Sequence, residues 1–135
     1  MYTRLAAAIR DIPDFPKPGL LFKHITPLLG DPDLFHEAVE IFATRHRGQG
    51  IGKIAAIDAR GFIFGGAVAE RIGTGFVPIR KKGKLPFQTI DESYDLEYGS
   101  NTISIHVDAF RPGEKVVILD DLLAPQLAHL PQDPV

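Results

Sequence analysis

The sequence predicts an α/β domain with a mostly parallel, twisted sheet flanked by helices. Three continuous apolar runs, "KIAAID", "GFVPIR" and "VVIL", are typical of strands buried on both faces, and a helical segment separates the first two. This strand–helix–strand order favours parallel pairing. Two alternating segments, "SYDLEYG" and "NTISIHV", predict an antiparallel flap or edge with one face exposed to water.

The first third of the chain predicts helices on either side of a proline-rich segment. Residues 3–9 form a short helix candidate. The stretch "PDFPKPGLLFKHITPLL" is expected to be extended and constrained rather than a regular element, because its prolines fix φ. The stretch "GDPDLFHEAVEIFATRHRG" predicts a helix with Asp31 as N-cap and Pro32 in the first turn. Its apolar face follows i, i+3, i+4, i+7 spacing and consists of Phe35, Ala38, Val39 and Phe42.

Composition excludes several classes of protein. The 135 residues suit one domain, and 44% hydrophobic with 24% charged residues is typical of a globular chain. A formal net charge of -2 argues against nucleic-acid or anionic-membrane partners, so any anion site must be local. The absence of cysteine excludes disulfides and thiolate metal sites and fits a cytoplasmic enzyme. We expect neither a signal peptide nor a membrane span.

The segment "IAAIDARGFIFGG" places Asp58, Ala59 and Arg60 between a buried strand and a helix expected over residues 61–71. Ligands of open α/β sheets bind in this crevice, where free N–H groups and the helix dipole favour anions. Arg60 would add a charged fork for phosphate or pyrophosphate. The alternative is a loop ion pair between Asp58 and Arg60, with glycines serving only helix–sheet packing.

The segment "PIRKKGKLP" forms a local positive spot after another strand. Four of the five residues from Arg80 to Lys84 are cationic, although the chain has a negative net charge. A solvated turn is the simpler interpretation of such a charge run. Its position at the end of a strand favours an anion site instead.

The segment "VVILDD" ends a strand in two adjacent carboxylates, Asp120 and Asp121. Two such charges repel and need cations, a hydroxylated sugar or a metal nearby. A Walker B strand looks similar, but the chain has no G-x-x-x-x-G-K-[ST] loop, so an ATPase is excluded. The remaining interpretation is a carboxylate pair that binds the vicinal hydroxyls of a ribose.

Five segments resemble the adenine phosphoribosyltransferase family in their order and spacing, from about Ile9 to Ala124: "PDFPKPGLLFKHITPLL", "AAIDARGFIFG", "VPIRKKGKLP", "SYDLEYG" and "VVILDDLLA". The resemblance implies a type I phosphoribosyltransferase fold with an N-terminal hood and an antiparallel flap. It implies phosphoribosyl transfer from phosphoribosyl pyrophosphate to adenine, giving AMP and pyrophosphate in purine salvage. It further implies Mg²⁺ as cofactor, with no ligand assigned among the side chains, and a cytoplasmic homodimer.

The resemblance also assigns roles to residues. Glu97 in the flap is the implied acid/base for the adenine protons; without the family match, it would be taken as a wet-face strand residue. The implied adenine site consists of Leu21, Phe22 and Arg60. The implied phosphoribosyl pyrophosphate site consists of Asp58, Ala59, Arg60, Arg80, Lys81, Lys84, Tyr98, Asp120, Asp121, Leu122, Leu123 and Ala124.

Two departures from the family pattern bear on activity. His24 stands where the family usually has an aspartate, and we expect this to affect stability before catalysis. After Ala124 the family continues Thr-Gly-Gly-Thr, whose backbone N–H groups cradle the 5'-phosphate, but this chain has "PQLAHLPQDPV". Pro125 removes one donor and fixes its own φ. Residues 1–124 are therefore expected to be an incomplete phosphoribosyltransferase domain and residues 125–135 an irregular tail.

We hypothesise that the departure reflects truncation or a frameshift, which translation of the other two reading frames past codon 124 would test. Little or no transferase activity is expected. The alternative is a non-catalytic adenine- or nucleotide-binding module, or an inactive fragment of the same family. A related purine transferase with a different base preference is a further possibility.

Overall fold

The computed structural model describes residues 3–96 and 99–120. The elements within these ranges are, in chain order, α1 (Thr3–Ala7), β1 (Arg10–Pro13), β2 (Leu21–His24), α2 (Thr26–Leu29), α3 (Pro32–His46), β3 (Lys53–Ile57), α4 (Arg60–Ile72), β4 (Gly75–Lys81), β5 (Thr89–Leu96), β6 (Gly99–His106) and β7 (Val116–Leu119). The chain divides into two compact units, Met1–Arg45 and His46–Val135. No helix in the described ranges is long and apolar enough to cross a membrane.

The N-terminal unit contains a two-stranded antiparallel hairpin, β1–β2, with Arg10 opposite His24. The expectation of an irregular proline-rich segment over residues 13–29 was therefore wrong for Pro13, for residues 21–24 and for residues 26–29. The prolines are accommodated because they fall at the end of β1, in the connection between the strands, and in the first turn of α2. Asp14 has a φ of 55° in that connection, and its Oδ1 accepts a hydrogen bond from Gly19 N at 2.9 Å.

Helix α3 begins where the sequence predicts. Asp31 Oδ1 accepts hydrogen bonds from the N–H groups of Asp33 at 3.0 Å and Leu34 at 3.2 Å, so Asp31 is the N-cap. Ala38 and Val39 on the predicted apolar face are buried. The capping residue and the spacing of apolar residues were therefore sufficient to predict this helix.

The C-terminal unit is built on a five-stranded sheet of order β5-β6-β4-β3-β7. Strand β3 pairs in parallel with β4 on one side and with β7 on the other. Strand β6 pairs antiparallel with both β4 and β5. The predicted parallel sheet with an antiparallel edge is confirmed.

Helix α4 packs closely on one face of the sheet. A methyl group added at Gly65 would lie 2.7 Å from Ala56 Cβ and 2.8 Å from Phe76 Cε1, distances that no side chain tolerates. The Phe76 ring is itself held edge-on by Phe62, with ring centroids 5.4 Å apart. Helix α4 and the sheet are therefore in close contact at Gly65.

The opposite face of the sheet carries an apolar cavity of about 410 Å³. It is lined by Ala55, Ile79, Ile90, Glu92, Ile103, Ser104, Ile105, Phe110, Glu114, Val116 and Ile118. Ile118 on β7, the last strand of the sheet, is 47% exposed.

The alternation predicted for residues 101–107 was wrong at two positions. Val107 was expected on the apolar face but is 42% exposed. Ser104 lies between Ile103 and Ile105 and was expected on a wet face, but it is 1% exposed. Ser104 is flanked on its own face by the side chains of its cross-strand neighbours, Arg80 of β4 and Asp91 of β5, and its hydroxyl is hydrogen-bonded to Asp91.

Candidate active site

Polar side chains follow the three parallel strands at the points where these strands end. Asp58, Ala59 and Arg60 follow β3, Arg80 and the lysines lie at the end of β4, and Asp120 follows β7. Because β3 lies between β4 and β7 and all three run in the same direction, these groups share one edge of the sheet. The sequence prediction that acidic and cationic groups meet at strand ends agrees with this topology.

An ion pair joins the ends of β3 and β4. Arg80 Nε donates to Asp58 Oδ2 at 2.9 Å, and Asp58 N donates to the carbonyl oxygen of Ile79 at 2.9 Å. The side chains of Arg80 and Asp58 are 36% and 30% exposed, so the pair contributes little to stability. The pair orients an arginine at the edge of the sheet, where it can meet an anion.

The partner of Asp58 in this pair lies 22 residues along the chain. The simple loop interpretation placed an ion pair between Asp58 and Arg60 instead. Strand pairing brings Arg80 to Asp58, and adjacency in sequence did not indicate it.

The start of α4 lies against the end of β7. A methyl group added at Gly61 would lie 3.2 Å from the carbonyl oxygen of Leu119 and 3.6 Å from Asp120 Oδ1. The Asp120 carboxylate is therefore close to the first turn of α4, which Arg60 begins. Ala59 is the N-cap of this helix and makes no side-chain capping bond, and the Asp58–Ala59 peptide bond is cis. The first turn of α4 and the Asp120 carboxylate thus border the same crevice.

The cations of the segment 80–84 have different surroundings. Arg80 Nη1 also donates to the carbonyl oxygen of Lys84 at 3.3 Å. Lys82 Nζ lies 3.8 Å from Asp91 Oδ2. Across the described ranges, the ammonium groups of Lys81 and Lys84 form no ion pair, and both residues are exposed. The two lysines assigned to pyrophosphate are therefore available to a ligand.

The contact between Lys82 and Asp91 was missed by sequence reasoning. A signal was present, since Thr89, Asp91 and Ser93 are polar at alternate positions of β5. The alternation was predicted only from Ser93 onwards, so it did not include Thr89 or Asp91.

The residues assigned to adenine are divided between the two units. Leu21 and Phe22 lie on β2 in the N-terminal unit. Leu21 is half exposed, and the Phe22 ring packs edge-to-face against Phe15 with centroids 5.1 Å apart. His24 on the same strand has a buried Nδ1 for which no described residue supplies a hydrogen bond.

Several assigned residues lie outside the described ranges. These are the predicted acid/base Glu97, its neighbour Tyr98, and the loop residues Asp121, Leu122, Leu123 and Ala124. The tail over residues 125–135 also lies outside them. The roles assigned to these positions stay predictions.

Comparison with known proteins gives a consistent result. The chain is 58% identical over 120 residues to adenine phosphoribosyltransferase of Solidesulfovibrio magneticus, covering 89% of this chain and 70% of that protein. It is 57% identical over 120 residues to adenine phosphoribosyltransferase of Neorhizobium galegae, covering 89% of this chain and 66% of the relative. The chain thus spans about two thirds of the length of these relatives. No protein-family model matches it.

Solved structures agree in fold. The crystal structure of adenine phosphoribosyltransferase from Rhodothermus marinus superposes with a TM-score of 0.85 at 52% identity, covering 90% of this chain and 69% of that chain. The enzyme from Thermoanaerobacter pseudethanolicus gives 0.88 at 49% identity, with 92% and 72% covered. The Saccharomyces cerevisiae enzyme, complexed with an imino-altritol bisphosphate and adenine, gives 0.85 at 36% identity, with 90% and 72% covered.

The sheet and its antiparallel edge accordingly have the arrangement of type I phosphoribosyltransferases. With more than half of the matched residues identical to those of curated relatives, the chain belongs to the adenine phosphoribosyltransferase family.

Proposed function

We propose that this chain transfers the phosphoribosyl group of phosphoribosyl pyrophosphate to adenine, giving AMP and pyrophosphate. One observation carries the proposal beyond family membership. The Asp58–Arg80 pair, the start of α4 and Asp120 converge at adjacent ends of β4, β3 and β7. A substrate with two anionic ends and a sugar between them needs positive and acidic groups within one crevice.

The pyrophosphate is assigned to the β3 and β4 ends. Breaking the bond between ribose C1 and the pyrophosphate oxygen leaves an oxocarbenium-like ribose and a heavily anionic leaving group. Donors aimed at that group lower the barrier because its charge grows in the transition state. Arg60, Arg80, Lys81 and Lys84 supply these donors, together with the backbone at Ala59. Asp58 contributes by orienting Arg80, because its own N–H donates to the carbonyl oxygen of Ile79.

The ribose is assigned to Asp120 and Asp121. Carboxylates accept hydrogen bonds from vicinal hydroxyls, and the nearby N–H groups of the α4 first turn offset the repulsion between the two charges. The following residues, Leu122, Leu123 and Ala124, would carry the 5'-phosphate on their backbone.

Adenine is assigned to Leu21 and Phe22, with Arg60 near the base. The aromatic face of Phe22 suits a purine, and a backbone N–H or carbonyl at Leu21 suits its polar edge. As adenine N9 bonds to ribose C1, Glu97 accepts the proton that the base loses. Tyr98 beside it would help the flap close, and closure would keep water from the reacting ribose.

Mg²⁺ is the proposed cofactor. No cluster of three or more metal-binding side chains occurs in the described part of the chain, while Asp58 and Asp120 offer single carboxylates at the strand ends. This donor set fits Mg²⁺, which commonly uses one or two carboxylates plus substrate phosphates. The bound ion would neutralise pyrophosphate charge.

The remaining assignments follow from the family. We propose a cytoplasmic homodimer in which residues 1–124 form the phosphoribosyltransferase domain and residues 125–135 are a divergent tail. The replacement of Thr-Gly-Gly-Thr by a segment beginning at Pro125 removes several charge-assisted hydrogen bonds, each worth about 1.5–3 kcal/mol. Transfer by the chain as it stands should therefore be slow.

The test compares this chain with a version in which residues 125–128 are replaced by Thr-Gly-Gly-Thr followed by a family-type helix. Both are assayed for AMP formation from adenine and phosphoribosyl pyrophosphate with Mg²⁺. We expect the restored chain to be much faster, and a restored chain without activity would contradict the proposal. AMP binding in calorimetry without transfer in either form would instead favour a non-catalytic binding module.

A matched pair of variants tests the site in the restored chain. Asp120→Asn should lower kcat/KM by roughly 10- to 150-fold, the worth of a charge-assisted hydrogen bond. Asp108→Asn removes the same charge from an exposed aspartate after β6 and should change nothing. Equal behaviour of the two variants would remove Asp120 from the site.

A further inference from the structure

Ser104 is a buried serine in the middle of the antiparallel part of the sheet. Its hydroxyl donates a hydrogen bond to Asp91 Oδ1 at 2.6 Å. In the strand register, Asp91 on β5 and Arg80 on β4 are its two cross-strand neighbours. Such neighbours share one face of the sheet, so a single row connects Asp91, through Ser104, to an arginine of the candidate active site.

Besides Ser104, the Asp91 carboxylate has two further partners. Thr89 Oγ1 donates to its Oδ1 at 2.7 Å, and Lys82 Nζ lies 3.8 Å from its Oδ2. The hydrogen bonds from Ser104 and Thr89, with the charge of Lys82, hold the pKa of Asp91 below its ordinary value. We call Thr89, Asp91, Ser104 and Lys82 the Asp91 cluster.

The basic turn, residues 80–84, is thereby attached to the neighbouring strands at several points. Lys82 N donates to the carbonyl oxygen of Thr102 on β6 at 3.0 Å, while its ammonium group reaches Asp91 on β5. Arg80 Nη1 closes the turn onto the carbonyl oxygen of Lys84. The exposed Lys81 and Lys84 are then the cations left for a ligand.

Electrostatics alone would disfavour a carboxylate at this place. An anion beside a site for pyrophosphate repels the ligand and offsets one of the four cations of the turn. Its retention within a set of short hydrogen bonds indicates a geometric role.

We propose that Asp91 is a positioning residue for the pyrophosphate end of the substrate. Through Lys82 and Ser104 it holds the basic turn in the geometry that presents Arg80, Lys81 and Lys84 to the ligand. This inference rests on the proposed function of the site and adds to it a residue that makes no contact with the substrate.

The test depends on whether KM for phosphoribosyl pyrophosphate rises or falls when a negative charge is removed. Asp91→Asn keeps a hydrogen-bond acceptor and removes the charge, and Asp95→Asn removes the same charge four residues along β5. No hydrogen bond or ion pair of the Asp95 side chain occurs in the described ranges. Positioning predicts that Asp91→Asn raises KM for phosphoribosyl pyrophosphate roughly 2- to 5-fold, the worth of an exposed ion pair. KM for adenine should stay unchanged.

Charge repulsion alone predicts the opposite, since both variants would then lower KM for phosphoribosyl pyrophosphate. A fall in KM for Asp91→Asn in parallel with Asp95→Asn overturns the proposal. Ser104→Ala is the second variant and should resemble Asp91→Asn, because it breaks the same row without changing the charge.

Two measurements separate this proposal from the proposed function. Calorimetric titration with magnesium pyrophosphate needs no turnover, so pyrophosphate binding without AMP formation contradicts only the proposed function. Hydrogen exchange at the Lys82 amide should be faster in Asp91→Asn and unchanged in Asp95→Asn, and equal protection in both contradicts only the positioning role. If even the restored chain binds neither magnesium pyrophosphate nor AMP, both the positioning role and the proposed function are overturned.

Discussion

Gly65 and Gly66 are adjacent in α4, yet an added methyl group should make the chain less stable at Gly65 than at Gly66. At Gly65 the new Cβ would lie 2.7 Å from Ala56 Cβ and 2.8 Å from Phe76 Cε1. The first distance is roughly 0.8 Å below the optimum for two carbon atoms. At Gly66, apart from the adjacent residues and the nearby backbone of α4 itself, no atom of the described chain lies within 4 Å of the added carbon.

The magnitudes follow from two effects. Replacing glycine by alanine inside a helix stabilises by about 1 kcal/mol, and both variants gain this amount. Gly65→Ala must also push α4 from the sheet or rotate the Phe76 ring away from Phe62, and such overpacking costs about 1–3 kcal/mol. Because the helix effect cancels in the comparison, Gly65→Ala should be less stable than Gly66→Ala by about 1–3 kcal/mol.

Urea unfolding followed by far-UV circular dichroism measures this difference. Both variants share one strand order and one helix length, so their m-values should agree, and the midpoints then report free energy directly. We expect Gly66→Ala to unfold at higher urea than the unchanged chain and Gly65→Ala at lower urea than Gly66→Ala. A Gly65→Ala midpoint at or above that of Gly66→Ala would refute the close helix–sheet packing.

Three further predictions concern pH, the base and the hairpin. A hydrogen bond from Arg111 N holds the pKa of Glu114 below its ordinary value of 4.5. The stability that the Glu114 carboxylate contributes is therefore present above pH 4.5 and is lost as pH falls through the lowered pKa. Glu114→Gln should accordingly flatten the acid side of a profile of unfolding free energy against pH. Phe22→Ala should raise KM for adenine by roughly 5- to 150-fold in steady-state kinetics, the worth of one base–aromatic stack, and leave KM for phosphoribosyl pyrophosphate unchanged. His24→Asp places a carboxylate opposite Arg10 and should stabilise the N-terminal hairpin by about 0.2–1 kcal/mol in thermal unfolding.

Elements with strong local signals could be predicted from the sequence. The cap at Asp31 and the spacing of the α3 face placed that helix, and continuous apolar runs placed β3, β4 and β7. The β1–β2 hairpin was missed because its strands are four residues each and are joined by a proline-rich connection, and the pairing of Arg10 with His24 is not visible locally.

The candidate site was predictable only in part. The sequence indicated that polar residues follow β3, β4 and β7, and parallel pairing brings the ends of these strands to one edge of the sheet. The side-chain partners within the site could not be predicted, because Asp58 pairs with Arg80 across neighbouring strands and not with Arg60, its neighbour in sequence. The burial of Ser104 also depends on which strands flank β6, and no alternation pattern contains that information.

Strand β7 and its exposed Ile118 affect how self-association of this chain is interpreted. Within the described residues β7 pairs only with β3, so one row of backbone N–H and carbonyl groups borders an apolar surface. Two copies can join such rows into a continuous sheet, as well as through a family-type dimer contact. Sedimentation of Ile118→Lys beside the unchanged chain distinguishes them: a monomeric variant identifies joined strands, and a persisting dimer places the subunit contact elsewhere.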